Sequence, residues 1–307
     1  MSLSITFLGT GGAVPTTRRN TSGIFCRREG EGMLFDCGEG TQRQMMRFGT
    51  GFDVDHIFVS HLHADHILGI PGLLQTLDFN ERRAPLTIYA PHRTTDSLES
   101  LNLAAGTRPS FSLRIRGVHP GDVAYQAADY EIRVFETDHD TWSVGYALVE
   151  NDRKGRFDRE HALELGVPEG PMFSRLHDGE SVTLEDGTVV DSEQVVGDPR
   201  PGRRVVYTGD TRPTDEGVEA AKDADLLIHD ATFASDNAAR ARDTGHSTAT
   251  QAAEIATQAE AKRLALVHIS SRYTGDVSTL ESEAKAVFDG DAFVPEDGDE
   301  LDVPFPE

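Results

Sequence analysis

The chain has 307 residues, with 29 Lys and Arg against 52 Asp and Glu, and so a net charge of −23. The length fits one large α/β unit, residues 1–307, carrying an inserted lobe. With 37% hydrophobic and 26% charged residues, wholesale disorder is excluded. Only four of the basic residues are lysines (Lys154, Lys222, Lys262 and Lys285). An acidic, Lys-poor surface is expected of a halophilic protein, because molar salt shortens the Debye length to about 3 Å and removes the self-repulsion. The same acidity argues at first against a nucleic-acid partner, since phosphate binding normally rests on a basic field. Two cysteines, Cys26 and Cys37, cannot form a disulfide framework and fit a reducing, cytoplasmic setting. The opening residues lack the basic and apolar regions of a cleaved signal, and no stretch is long enough to span a membrane.

In chain order, short apolar strands are expected at 5–8, 32–35, 56–60, 86–90, 130–135, 144–149, 204–208, 226–229 and 264–268. Helices are expected at 42–48, 67–77, 94–103, 216–221, 248–260 and 277–287, the alanine-rich 248–260 opened by Ser247 or Thr248 as a cap. Residues 151–203 interrupt this alternation with turn formers and charge, and predict an inserted arm of short strands and turns.

The strand at 56–60 runs into His61-Leu62-His63-Ala64-Asp65-His66. His61 and His63 are two apart on an extended chain and point the same way, while Asp65 and His66 begin a turn into the next helix. Four N and O donors in six residues suit a borderline divalent ion, imidazole favouring zinc. His139, Asp210 and His268 each follow or end a later strand. Together they make seven ligands for a two-metal site of the kind that clamps a phosphoryl group.

These residues carry a resemblance. The histidine run with its later partners resembles the metallo-β-lactamase superfamily. Residues 7–12, 35–42, 60–66, 229–233, 245–248 and 268–273 resemble, more narrowly, the short form of ribonuclease Z, which trims the 3′ trailer from precursor tRNA. The match leaves out only the last dozen residues. It implies a four-layer αββα sandwich, a homodimer, and two Zn2+ per subunit, with Mn2+ or another divalent ion as the alternative. One ion would be held by His61, His63, His139 and Asp210, the other by Asp65, His66, Asp210 and His268. Asp65 would be the proton acceptor, and Asp36 would hold a ligand imidazole in one tautomer. His246, backed by Asp230, would protonate the leaving 3′ oxygen. At the position of Asp230 the family more commonly has Glu, so the reach to His246 is one methylene shorter.

The resemblance also implies substrate contacts from Arg18, Arg19, Asn20 and Arg272. It implies a flexible arm whose Gly170-Pro171 motif marks the grip on tRNA, although acids balance the bases along it. DNA and membranes are not expected partners. The rival readings are a small-substrate phosphodiesterase or thiolester hydrolase on the same fold, and a di-iron oxidoreductase. The last would need Glu in place of His63 and a flavin domain.

Overall fold

The computed structural model describes residues 2–306, which form two compact units: residues 2–149 with 204–304, and Glu150–Arg203 with Phe305 and Pro306. In chain order the strands are β1 (Leu3–Gly9), β2 (Gly23–Arg28), β3 (Glu31–Phe35), β4 (His56–Phe58), β5 (Leu86–Pro91), β6 (Leu113–Val118), β7 (Val123–Gln126), β8 (Tyr130–Glu136) and β9 (Val144–Glu150). They continue with β10 (Val182–Thr183), β11 (Val189–Val190), β12 (Arg204–Tyr207), β13 (Leu226–Asp230), β14 (Arg263–Val267), β15 (Asp291–Phe293) and β16 (Glu300–Asp302).

The larger unit holds two seven-stranded sheets, ordered β16-β1-β2-β3-β4-β5-β6 and β15-β14-β13-β12-β9-β8-β7. Side chains alternate across each strand, so Leu3, Ile5 and Phe7 enter the core between the sheets while Leu8 joins the layer beneath the helices. That inter-sheet core takes Met33, Phe35 and Phe58 from one sheet and Ile132, Tyr146, Leu148 and Val205 from the other. Outside the first sheet, the helices Thr41–Phe48 and Ile70–Phe79 bury Met45, Leu73 and Leu74. Outside the second, Ala249–Gln258 buries Ala249, Ala252, Ala253 and Ala256, whose small side chains let helix and sheet approach closely. Thr248 caps that helix in a capping box with Gln251. The layer order is therefore helix, sheet, sheet, helix, as expected. β3 through β6 run parallel to one another, as do β12 through β15, so their carboxyl ends gather at one edge of each sheet.

Three expectations change. The helix expected at 67–77 is two helices, Ala64–Ile67 and Ile70–Phe79, broken at Leu68-Gly69. The expected strand 56–60 ends at Phe58. The segment expected to be strands and turns contains two helices, Arg159–Glu164 and Pro171–His177, besides the β10–β11 hairpin. This smaller unit has a core of its own, from Ala162, Val167, Leu176, Val182, Val190 and Val195, with Phe157 and Phe173 packed against it. Glu150 and Arg203 form a buried ion pair at 2.7 Å, and the guanidinium groups of Arg153 and Arg203 each lie 4.0 Å from the Phe305 ring. Among the described residues no helix is long and apolar enough to cross a membrane.

Candidate metal centre

The chain leaves β4, β8, β12 and β14 at the edge where their ends gather, and each exit delivers a ligand-type side chain. His61, His63, His139 and Asp210 bring one N or O atom each to within 4.8 Å of one another, and Asp65, His66 and His268 form a second such group. Asp210 joins the two. Its Oδ2 lies 3.6 Å from His61 Nε2, 3.3 Å from His66 Nε2, 3.9 Å from His139 Nε2 and 3.3 Å from His268 Nε2. Asp65 Oδ2 lies 3.2 Å from His268 Nε2. All seven expected ligands thus converge.

The hydrogen-bond network settles which imidazole nitrogen faces this nest. His66 Nδ1 donates to Asp36 Oδ2 at 2.7 Å, and His139 Nδ1 donates to the Gly245 carbonyl at 2.8 Å. The Ser60 hydroxyl donates to Asp36, so it accepts from His61 Nδ1 at 3.0 Å. The Thr232 hydroxyl donates to Asp230, so it accepts from His268 Nδ1 at 2.8 Å. Four histidines therefore carry their proton on Nδ1 and present an Nε2 lone pair inward. His61 Nε2 and Asp210 Oδ1 are buried without a hydrogen-bond partner. Leaving such groups unsatisfied costs about 1–3 kcal/mol each, a cost that a ligated cation would remove. Imidazole nitrogens and carboxylate oxygens in this number fit a divalent ion.

The backbone is bent to serve the same arrangement. Asp36 and His268 are both non-glycine residues in the left-handed region, at φ 56° and 60°, a conformation costing about 1–3 kcal/mol that packed surroundings must hold in place. Asp36 is fully buried and also accepts from the Ser60 amide at 2.7 Å and the Tyr207 hydroxyl at 2.6 Å. Gly12 admits the His268 ring, since a Cβ there would sit 2.6 Å from two of its atoms.

Burial drives the His61 imidazole well below its usual range, and the neighbouring histidines push the same way. Burial likewise opposes the charged form of His246, and the Asp230 carboxylate outweighs it, lifting that imidazole to about 9.

Two family models match the chain: Anti-Pycsar protein Apyc1 over residues 3–154, and the Beta-lactamase superfamily domain over 194–269. Ribonuclease Z of Natronomonas pharaonis is 68% identical over 307 residues, covering all of both chains. Ribonuclease Z of Haloferax volcanii is 63% identical, covering 99% of this chain and 96% of its own. The chain belongs to the ribonuclease Z family. Among solved structures, human tRNase Z, short form, superposes with a TM-score of 0.70 at 27% identity over 98% of this chain and 100% of its own. The fold is that of the metallo-β-lactamases, and the acidic composition agrees with the halophilic members of the ribonuclease Z family.

The shorter reach expected of Asp230 leaves no gap: its Oδ2 accepts from His246 Nδ1 at 2.9 Å. Its remaining acceptor sites are filled by the Thr211 amide and by the amide and hydroxyl of Thr232. His246 stacks on His268 with centroids 4.9 Å apart, bringing it to the edge of the nest.

The basic loop is divided between surface and interior. Arg18 is exposed, beside a cavity of about 400 Å3 that Arg47, Asp276 and Glu296 also line. Arg19 and Asn20 are buried instead. Arg19 Nη1 donates to the Thr10 hydroxyl and to the Pro295 carbonyl, and Asn20 donates to the Glu39 carbonyl, so the fold anchors both side chains. Each nonetheless lines a cavity, Arg19 that beside Arg18 and Asn20 one with Glu39 and Arg43. Arg272 is exposed next to His268, and Gly170 and Pro171 are exposed at the start of Pro171–His177 in the smaller unit.

Sequence reading misses Asp297. Its carboxylate accepts from the amide and hydroxyl of Thr10, the Asn20 amide and Gln44 Nε2. It thereby fixes both ends of a loop whose Ala13 amide donates to Asp65 Oδ2 at 2.7 Å. In sequence Asp297 looks like any acid of an acidic tail, and no local signal distinguishes it. Thr232 and Gly245 are missed in the same way, because their roles rest on a hydroxyl and a carbonyl that carry no residue signature.

Proposed function

We propose that this chain is a metal-dependent endoribonuclease that removes the 3′ trailer from precursor tRNA by hydrolysing one phosphodiester, leaving a 3′-hydroxyl on the tRNA. The observation that carries the reading is the pairing of a seven-ligand nest with a carboxylate-backed imidazole, His246, at its edge. The relatives named ribonuclease Z support the substrate. His61, His63, His139 and Asp210 would hold one ion, and Asp65, His66, Asp210 and His268 a second, both Zn2+ with Mn2+ as the alternative. Divalent ions there supply Lewis acidity toward the phosphodiester and make water a competent nucleophile near neutral pH.

The protein's own groups do the rest. Asp65, held by the Ala13 amide, orients the attacking water and accepts its proton. Asp36 fixes His66 so that one nitrogen always faces inward. His246, kept protonated by Asp230, gives its proton to the departing 3′ oxygen. The smaller unit grips the body of the tRNA around Gly170-Pro171, and the chain works as a cytoplasmic homodimer.

Incubating the protein with a 3′-extended precursor tRNA and mapping the product end tests this reading. The expected result is a mature-length tRNA ending in a 3′-hydroxyl, absent after chelator treatment. Hydrolysis of small phosphodiesters with the precursor left intact would overturn it.

A further inference from the structure

Beside the nest, and sharing His139 with it as a wall, lies a cavity of about 320 Å3 lined by His92, Arg93, His119, Thr137 and Trp142 among others. Trp142 is the chain's only tryptophan, and 57% of it is exposed. An indole, apolar across its face and polar at its N–H, is enriched where a surface meets a partner. The Arg93 guanidinium sits 4.2 Å from the centre of that ring. Among the described residues no carboxylate forms an ion pair with Arg93, in a chain where acids outnumber bases 52 to 29. The rings of His92 and His119 lie 4.5 Å apart at 30° on the same wall. None of these side chains belongs to the hydrophobic clusters that hold the fold together.

An exposed indole layered with an unpaired guanidinium, next to further flat rings, offers π-faces and hydrogen-bond donors to a planar heterocycle. We propose that this cavity is a base-binding subsite, in which an unpaired nucleobase of the RNA, flanking the cleaved phosphodiester, stacks on the Trp142–Arg93 layer. The proposal rests on the RNA-cleavage reading above, and geometry supplies the link. His139 presents Nε2 to the nest while its residue walls the cavity, so a strand whose phosphate lies at the nest has a neighbouring base within reach. Stacking is a short-range contact that salt does not screen, which suits a chain whose charge repels RNA at a distance.

Because Trp142 is the sole tryptophan, its emission reports this site alone. The metal-loaded enzyme is mixed in a stopped flow with precursor tRNA, either intact or carrying one abasic nucleotide immediately 5′ or 3′ of the cleaved bond. The intact precursor is expected to quench the emission, and one of the two abasic precursors is expected to leave it unquenched. Trp142→Ala should lower single-turnover cleavage at subsaturating precursor about tenfold, in line with the loss of one base–aromatic stack, and Trp142→Phe should restore most of it. The critical abasic precursor should be cut equally by wild type and Trp142→Ala. Quenching that ignores both abasic positions, or Trp142→Ala cutting the intact precursor at the wild-type rate, would overturn the subsite. Base-dependent quenching without any cleavage would uphold the subsite and defeat the nuclease reading.

Discussion

The metal nest and the smaller unit treat charge in opposite ways. In the nest, His61, His66, Asp36, Asp210 and Asp230 are buried, and each is oriented by a fixed partner within the fold. In the smaller unit, the buried Glu150–Arg203 pair apart, most charges are exposed, and three of the bases are paired with acids: Lys154 with Asp178, Arg159 with Glu169, and Arg175 with Glu180. Buried pairs are screened little by salt, while exposed pairs contribute little even in dilute buffer. The difference teaches where RNA recognition in this chain can draw its strength. The nest rests on oriented, buried ligands, whose interactions salt screens little. The proposed grip of the smaller unit on tRNA has no basic field to draw on and would rest on shape and backbone contacts.

The strongest way to break this comparison is to remove one ligand. His63→Ala is expected to lose both bound metal and precursor cleavage, by more than the roughly 10–100-fold that loss of an outer hydrogen-bond partner costs. Metal content by mass spectrometry and product mapping measure the two losses, and full activity in a metal-depleted variant would separate the nest from the chemistry. His246→Ala should slow single-turnover cleavage by about 10²–10⁴-fold with metal content unchanged. In the proposed role the protonated imidazole is the active form, and Asp230 lifts its pKa to about 9, so the wild-type rate should hold through neutral pH and fall as pH rises through that value. The variant should lose this alkaline limb.

Deleting residues 155–195 sharpens the other side. Binding of precursor tRNA should weaken by about tenfold or more, on the order of one lost docking region, while hydrolysis of a small phosphodiester by the nest is spared. Equal loss of both activities would show that the two regions are not separable. The smallest effect is on stability, far from the site. Burial raises the Glu31 carboxyl, but hydrogen bonds from His56, Tyr130 and Tyr125 outweigh it and hold the group down at about 2. A depressed carboxylate stabilises the fold above its unfolded pKa of about 4.5, and that contribution fades as pH falls toward 2. Glu31→Gln should therefore cost about 1–2 kcal/mol near neutral pH, discounted for partial exposure, and nothing near pH 2. Denaturant melts at the two pH values measure it.

Much of the nest is legible in the sequence because its ligands cluster at strand ends, and the order His61, His63, Asp65, His66 has no structural purpose on an apolar strand. The pairing of His246 with Asp230 is legible only through resemblance, since sixteen positions separate them in the chain. The fate of Arg19 is not legible, because it depends on the Pro295 carbonyl, 276 residues away, which the tail delivers when β16 pairs with β1. Asp297 is hidden by the same long-range closure. The helices Arg159–Glu164 and Pro171–His177 escape notice because six or seven residues carry too little periodicity, and such short helices form only when a core such as that around Leu176 supports them.

In the proposed function, buried ligand geometry and not a charged surface carries out RNA cleavage. Measuring single-turnover cleavage of a 3′-extended precursor tRNA by the metal-loaded protein, from dilute buffer into molar KCl and with a chelator control, tests it most directly. The rate is expected to persist in molar salt and to disappear with chelator. A steep loss of cleavage as salt approaches the molar range, or cleavage that continues in chelator, would contradict it.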